Sequence, residues 1–454
     1  MANEIYHQSN WGSPKKDGWG DSYFNPSATN KLYTRSDNYE NSNGTDKALA
    51  SKPDTQSVLM TPTAYSVGSM NSILPTNGDG NFTFDRNSTA TRVNKEGLIE
   101  TVAIDTPRLD YPLIDGVVQS EPALLLEPAR TQLIDYSEDF SQWTTQSATI
   151  TPNNEISPDG TQNADLITNT SANGYVAKAP SFNANLEYTF SVFVKAGTSN
   201  LFSLVYTPFM SQVISVEFDL SSEAATVNTG TPTNFGIDNF GNGWFRIFIT
   251  EPKNATTGTS FVRVVLSGST SDTGYIWGAQ LEQGSYATSY IKTTSGSSVT
   301  RAADTANGAG NSDVFNDSEG VLYAEISALA NDLTNRTIGV LGDSNNFIEL
   351  AYRNSSNQVR CLIKSNGVVE VNIQHTLSDI TLNNKLAIKY KLNNVSLYVN
   401  GIEVGTDLSA NMPSGLNELN FNRFDGGENY YGKVKEVRVY NTALTDAELA
   451  TLTT

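Results

Sequence analysis

The chain has 454 residues and a formal net charge of −19, from 29 lysines and arginines against 48 aspartates and glutamates. Such a surface repels a phosphate backbone, and because no basic cluster overrides it, nucleic acid is excluded as a partner. The length predicts about three domains, the single cysteine excludes an intramolecular disulfide, and no apolar stretch reaches the roughly 18 residues of a membrane span, which predicts no membrane insertion.

Residues 1–70 carry aromatic side chains without a period, and Gly, Pro and Asn interrupt every helical or strand-like pattern. The first twenty residues hold no basic segment leading into an apolar one, which predicts no secretory signal. Scattered aromatics on an irregular chain are typical of an anchoring arm that orders on another surface. The alternative is an irregular lobe packed on the chain's own domains. The residues predicted to anchor the arm are Trp11, Trp19, Tyr23 and Phe24.

Residues 71–135 form a connector in which short strand-like pieces alternate with turns. The segment Asn94 to Gly97 is a hairpin-type turn between "ATRV" and "GLIETVA". The run "ALLLEPA" is a short buried strand that ends at Pro128. The "NGDGN" segment at Asn77 to Asn81 is interpreted as a turn rather than a calcium loop, because it lacks the bidentate Glu and the flanking helices of an EF-hand.

Three blocks in and beyond this connector resemble a segment that recurs in structural proteins of tailed bacteriophages. They are "LPTNGDGNFTFDRNSTATRVNKEGLIE", "PRLDYPLIDG" and "LLLEPARTQLIDYSEDFSQW". The resemblance implies a virion protein. Fibres, tail proteins and capsid-attached proteins all carry this segment, so the resemblance leaves the position in the particle open.

Residues 136–300 contain eight candidate strands with regular alternation, separated by turns rich in Asn and Gly, which predict a two-sheet jelly roll. The phrases "YTFSVFVKAG", "GNGWFRIFIT" and "YIWGAQLEQGSYATSYI" resemble a carbohydrate-binding-module-like jelly roll of phage proteins. That resemblance implies sugar contacts on exposed aromatic rings. The favoured candidates are Tyr206 and Phe209, in a loop that contains Pro208. Phe193 is a further candidate, whereas Trp244 at a strand start is expected in the core. Asp159 and Asp165 are interpreted as turn residues rather than calcium ligands.

Residues 301–454 predict a second β-sandwich with a short helix that begins near Thr445, where Thr445 and Glu448 fit a capping box. The strands and the ending "YNTALTDAEL" resemble a concanavalin-like, laminin-G-like domain. That resemblance implies glycan binding, in some relatives with calcium. Loop residues with oxygen ligands are Asp343, Asn345 and Asp425, and the alternative for each segment is a plain loop. The rim aromatics are Tyr430 and Tyr431, of which one is expected to pack inward.

No pattern indicates an enzyme. The two histidines, His7 and His375, lie in different predicted segments, and no G-x-S-x-G motif is present. Pairs of carboxylates are unavoidable among 48 acidic residues and carry no information. No cofactor is predicted, apart from a calcium ion in the loops named above.

The expectation is therefore an all-β chain with an irregular N-terminal anchoring arm and two β-sandwich, jelly-roll-type domains. Its expected function is a structural component of a phage virion, a fibre or decoration protein that binds other capsid or tail proteins and presents its sandwiches outward, with weak multivalent binding of host-surface glycans. The alternative is a dedicated receptor-binding adhesin for host attachment. Phage fibres of this kind are often homotrimers, and a homotrimer is expected here.

Overall fold

The computed structural model describes residues 55–207, 213–253 and 256–454, and they are almost entirely β-structure. They form two compact units. The terminal unit comprises the described residues up to Phe84 together with Thr305–Thr454, and the central unit is Asp85–Asp304. The predicted all-β fold class is confirmed. No helix in these ranges is long and apolar enough to cross a membrane.

The larger sheet of the terminal unit, sheet A, joins strands from both ends of the chain. The first strand, Gln56–Ser66, pairs antiparallel with the last, Gly432–Tyr440, with Met60 opposite Val437. In spatial order the strands of sheet A in this unit are Thr305–Asn307, Phe82–Asp85, Ser69–Leu74, Gln56–Ser66, Gly432–Tyr440, Glu319–Ala328, Asn384–Lys391, Val395–Val399 and Ile402–Asp407.

The sequence predicts an irregular arm up to residue 70. In the structure, Gln56–Ser66 and Ser69–Leu74 are instead strands of this sheet. The arm residues Trp11, Trp19, Tyr23 and Phe24 lie outside the described residues. The difference has a simple cause: a strand whose partner is at the other end of the chain gains its pairing and its burial only in the folded sheet.

The smaller sheet of the terminal unit, sheet B, packs on sheet A. The Tyr352 hydroxyl crosses between them and donates to the Ile326 carbonyl oxygen at 3.2 Å. Ile348, Leu350 and Cys361 are buried on the same inner face. In spatial order its strands are Val368–Thr376, Gln358–Ser365, Asn346–Tyr352, Arg336–Asp343 and Glu418–Asn420.

The other face of sheet A is covered in part by the helix Asp446–Leu452. Both hydrogen bonds of the predicted capping box between Thr445 and Glu448 are present. Leu449 and Leu452 then pack in a cluster with Tyr323 and other buried residues of sheet A. The capping box places the start of the helix, and the two leucines account for its position on the sheet.

The central unit contains two six-stranded antiparallel sheets with an apolar core, as expected for a sandwich. Sheet C runs through Ala148–Ile156, Gln162–Asn169, Thr273–Gln283, Tyr188–Ala196, Trp244–Glu251 and Asn234–Gly241. Sheet D runs through Thr144–Gln146, Tyr175–Lys178, Phe261–Leu266, Leu201–Thr207, Ile214–Asp219 and Ala224–Thr229. Shorter elements are Ala90–Val93 with Ile99–Val102, Leu109–Asp110 with Ala123–Leu126, Leu113–Ile114 with Val117–Val118, Arg130–Gln132 with Val299–Arg301, Ser181–Phe182 with Gly258–Thr259, and the 3-10 helix Phe140–Gln142.

All eight candidate strands of the jelly roll are present, but four further strands of sheets C and D were not predicted. These are Thr144–Gln146, Gln162–Asn169, Ala224–Thr229 and Asn234–Gly241. Ala224–Thr229 and Asn234–Gly241 lie at sheet edges and are largely exposed or half-buried, so they lack the alternation that marks a strand with one buried face. Thr273–Gln283, the last strand in the chain order of this sandwich, lies in the middle of sheet C.

The central strands of sheet C, Tyr188–Ala196 and Thr273–Gln283, are buried on both faces. One face contributes Phe190, Val192 and Val194 to the sandwich core. The opposite face carries a second cluster, built around Phe193 and Trp277, with Tyr290 and the connector residue Ile99 packed against them. Phe193 is fully buried in this cluster, so its prediction as an exposed sugar contact is wrong.

A buried ionic cluster joins the connector to the end of the central unit. The Glu127 Oε2 atom accepts from Arg108 Nη1 at 2.7 Å and from Arg301 Nη1 at 2.6 Å. Asp304 bridges Arg86 and Arg108, and its Oδ2 also accepts from the Glu127 amide at 2.8 Å. All five side chains are at least 97% buried. Three of the five, Arg86, Arg108 and Glu127, belong to the predicted connector, and Arg301 and Asp304 lie at the start of the segment predicted as the second sandwich.

Candidate functional site

The candidate site is the outer face of sheet B in the terminal unit. Polar side chains of neighbouring strands lie side by side on this face. Directly opposed residues of antiparallel strands share a face, and Arg360 lies opposite Gln374 while Leu362 lies opposite Asn372. Asn372 and Gln374 are exposed, and Arg360 and Leu362 are half-buried. The face therefore combines amide and guanidinium donors with an apolar patch.

A buried carboxylate lies beneath the side chains of this face. Glu349 is completely buried, and its Oε2 accepts from Arg360 Nη2 at 3.0 Å. Its Oε1 has no hydrogen-bond partner within the described residues. Burial raises the pKa of Glu349 above its usual value, although Arg360 acts in the opposite direction. Glu349 thus anchors the Arg360 guanidinium and leaves part of it, 14% of the side chain, exposed.

A loop after the strand Glu418–Asn420 forms one side of the site. The Glu428 carboxylate accepts from Arg353 at 3.1 Å and from Arg423 at 2.9 Å, and Thr337 donates its amide hydrogen to the Glu428 carbonyl oxygen. The ring of Phe424 stacks on Phe347, with centroids 5.0 Å apart and an interplanar angle of 18°. These contacts fix a half-buried aromatic ring against Phe347, which lies opposite Lys364 of the neighbouring strand.

Tyr430 and Tyr431 were rim candidates, with one of the two expected to pack inward. Tyr430 is the inward one: it is 1% exposed, and its hydroxyl donates to the Ser327 carbonyl oxygen at 2.9 Å. Its ring lies between the two sheets beside Tyr352, so Tyr430 is not a sugar contact. Tyr431 is half-buried, and its role in binding stays a prediction.

The structure describes one of the two sugar-contact candidates of the central unit. Tyr206 is completely buried, and its hydroxyl donates to the Tyr188 carbonyl oxygen at 3.1 Å, so its prediction as an exposed contact is wrong. Its ring belongs to the sandwich core with Phe182 and Phe190. Phe209 lies outside the described residues. Trp244 is buried, as expected.

The three predicted metal ligands are engaged in local hydrogen bonds. Asp343 Oδ1 accepts from the Asn345 amide at 2.7 Å, which closes a tight turn. Asp425 pairs with Arg423, and this hydrogen bond lowers its pKa to about 2. Within the described ranges, no group of three His, Cys, Asp or Glu side chains is placed to hold a metal ion. A calcium ion at these loops therefore stays a prediction.

Sequence reasoning did not single out Glu349, Arg360 or Glu428. A signal was present for the first two, because Glu349 interrupts the apolar run "NFIELAY" and Arg360 alternates with buried residues in "QVRCLIK". Charged residues within apolar strand patterns are rarely buried without a partner. No comparable local pattern marked Glu428, whose partners come from two other segments.

Comparison with known proteins assigns a fold to the C-terminal part of the chain, which contains the candidate site. Residues 324–450 match a family model described as the concanavalin A-like lectin/glucanases superfamily, Laminin_G_3. These residues therefore have a lectin-type β-sandwich fold, which is compatible with carbohydrate binding. No curated protein sequence matches the chain at a significant level.

Several solved structures are similar to parts of the chain. Domain 4 of an extracellular arabinanase from Geobacillus stearothermophilus, in complex with arabinotriose, is 14% identical with a TM-score of 0.29, and the match covers 34% of this chain and 73% of that one. A galectin of Caenorhabditis elegans is 13% identical with a TM-score of 0.22, over 27% and 83%. The receptor-binding domain of botulinum neurotoxin type G is 12% identical with a TM-score of 0.26, over 32% and 38%.

Proposed function

We propose that this chain is a non-catalytic glycan-binding protein and that the outer face of sheet B holds the sugar. The observation that supports the proposal is the Arg360 guanidinium, anchored by buried Glu349 and flanked by the exposed amides of Asn372 and Gln374. Guanidinium and amide groups donate to sugar hydroxyls, and Leu362 with the Phe424 ring offers apolar contact to a sugar's C–H groups. This face lies within the stretch that matches the lectin-type model.

The decisive variant is Arg360→Lys. It keeps the positive charge beside Glu349 but replaces the planar guanidinium, which donates several hydrogen bonds in one plane, with an ammonium group. We expect glycan binding, measured with the full chain on a glycan array and then by titration of the best ligand, to weaken by roughly tenfold or more, since hydrogen bonds from charged donors are worth about 1.5–3 kcal/mol.

The matched control is Arg92→Lys in the central unit, where Arg92 pairs with Glu100 at a similar exposure of 18%. The control should bind like the unchanged chain. Equal binding by the Arg360→Lys chain would place the sugar elsewhere, and absence of any glycan ligand would refute the proposal as a whole.

The location proposed for this activity is a virion, as a homotrimeric fibre or decoration protein in contact with capsid or tail proteins. The support is the resemblance of residues 74–143 to phage structural proteins. The alternative, a dedicated adhesin that determines host attachment, uses the same glycan-binding face and differs in being required for adsorption to cells.

Two measurements test the assembly. Native mass spectrometry should give three times the 49.2 kDa chain mass, and a stable monomer would contradict the trimer. Deletion of residues 1–54 removes the predicted anchors but keeps the first strand, Gln56–Ser66. The shortened chain should stay folded by circular dichroism and fail to enter particles. Normal incorporation would contradict an anchoring arm.

A further inference from the structure

The central unit has a cleft of about 240 Å³ that none of the predicted sites includes. It opens between the connector residues Gly97 and Leu98, the end of the strand Ala148–Ile156 and the turn that precedes Trp244. At about 30 Å³ for each water molecule, the space corresponds to roughly eight waters. This volume suits one sugar-sized ring rather than an extended chain.

The walls of the cleft are held in place by the fold. Asn242 and Gly243 form the two-residue turn between Asn234–Gly241 and Trp244–Glu251, with φ of 53° and 78°, as a type I′ hairpin requires. The Trp244 Nε1 donates to the Ile156 carbonyl oxygen at 2.9 Å and ties this turn to the opposite wall. A site whose walls are already ordered loses little entropy when it binds a ligand.

The lining of the cleft combines polar and apolar side chains. Its two charged residues, Glu155 and Lys195, carry opposite charges. Lys195 Nζ lies 3.5 Å from Glu155 Oε1, and both side chains keep more than a quarter of their surface exposed. The Ile156 amide also donates to Glu155 Oε1, so within the described residues both contacts use one carboxylate oxygen and leave Oε2 for a ligand. Leu98, half-exposed Ile156 and Phe240 supply the apolar walls.

We propose that this cleft binds a single neutral sugar residue, the end unit of a glycan, through Glu155 and Lys195. A carboxylate accepts from adjacent hydroxyls, an ammonium group donates to a ring or hydroxyl oxygen, and apolar walls contact the C–H face of the ring. Because Glu155 and Lys195 carry opposite charges, neither an anionic nor a cationic ligand gains a net electrostatic attraction from the pair. The inference does not rest on the site in sheet B, because it concerns a different unit and different residues.

The test uses the full chain and a panel of methyl glycosides of glucose, galactose and mannose, with methyl glucuronide as the anionic probe. Saturation-transfer NMR should detect a neutral glycoside with a dissociation constant on the order of 1 mM. Glu155→Gln should weaken it by about tenfold or more, because a charged acceptor is lost. Hydrogen exchange at residues 155–158 and 240–244 should slow when the sugar binds.

The control is Asp135→Asn, which removes an ion pair of similar exposure with Lys178, at 2.7 Å, outside the cleft lining. It should leave binding unchanged, and so should Arg360→Lys in the other unit. Lys195→Met is a second variant in the cleft. Thermal melting of each variant checks that the variant is folded. The inference is overturned if no neutral glycoside binds, if the glucuronide binds better, or if Arg360→Lys abolishes binding that Glu155→Gln leaves intact.

Discussion

Glu127→Gln is expected to lower the free energy of unfolding of the central unit by about 3–5 kcal/mol. The substitution removes the carboxylate that Arg108 and Arg301 share, and both guanidinium groups are at least 99% buried. Arg108 keeps its pair with Asp304, but Arg301 is left buried without the carboxylate that it contacts, and removal of one partner from a buried ion pair is strongly destabilising. The same oxygen also accepts from the Ser289 hydroxyl at 2.6 Å, so the cost includes a lost hydrogen bond.

The measurement is hydrogen exchange of the strand Tyr188–Ala196 in the full chain, since amides in a central strand exchange mainly through global opening of their unit. Asp135→Asn is the control, because a partly exposed ion pair contributes at most about 1 kcal/mol. Similar effects of the two substitutions would show that the buried cluster contributes no more than a surface pair.

The same variant tests the pH dependence. Burial alone would raise the pKa of Glu127, but the charges of Arg301 and Arg108 outweigh burial and hold the pKa below its usual value. A carboxyl group of this kind stabilises the fold above its unfolded-state pKa, about 4.3, and that stability is lost as the pH falls further. The unchanged chain should therefore lose stability below about pH 4.3, and the Glu127→Gln chain should lose less over the same interval.

Asp165 has the opposite effect from Glu127 on how stability depends on pH. Burial raises its pKa to about 6, although backbone hydrogen bonds from Asn153 and Phe140 act in the other direction. Its ionisation therefore costs stability as the pH rises from about 3.9 to about 6. Both chains contain Asp165, so this effect is common to them and the difference between their pH profiles reports on Glu127.

Trp277→Ala is expected to destabilise the central unit by about 3–5 kcal/mol, the usual cost of removing a large buried aromatic side chain. Trp277 is 1% exposed and packs against Tyr290, with ring centroids 4.7 Å apart, and against Phe193 at 5.3 Å. Its removal opens a cavity on the face of sheet C that the connector covers, and the surrounding strands cannot close it.

Trp277→Phe should cost less than Trp277→Ala, because it keeps a ring in the cluster and the indole Nε1 has no hydrogen-bond partner among the described residues. Equilibrium denaturation followed by circular dichroism measures both variants. If the alanine variant were as stable as the phenylalanine variant, the aromatic cluster would contribute nothing beyond the sandwich core.

Trp277 and Tyr290 lie near the two ends of the phrase "YIWGAQLEQGSYATSYI". From sequence, this phrase predicts the last strand of a sandwich and its exit. In the structure the strand lies in the middle of sheet C, and the residues after it fold back so that Tyr290 meets Trp277. Ser289 in the same segment donates to Glu127. The phrase therefore supplies both an aromatic cluster and part of the ionic cluster.

Local rules account for what was predicted correctly. The predicted turn from Asn94 to Gly97 joins two paired strands, with Gly97 at a φ of 79°, and the helix begins at its predicted cap, Thr445. The alternation in "QVRCLIK" matches the buried side of Gln358–Ser365. Each of these features depends on neighbours within a few residues.

The sequence by itself determined most of the strands, the helix cap and hence the all-β class, because those depend on backbone preferences and on a period of two. Only the tertiary structure decided which aromatic rings are buried, since Tyr206 and Tyr430 differ from exposed residues only in the sheet that packs over them. It also decided the pairing of Gln56–Ser66 with Gly432–Tyr440 and the meeting of Glu349 with Arg360. Contacts between distant segments arise from packing, and no local pattern encodes which partner a strand or a buried charge will meet.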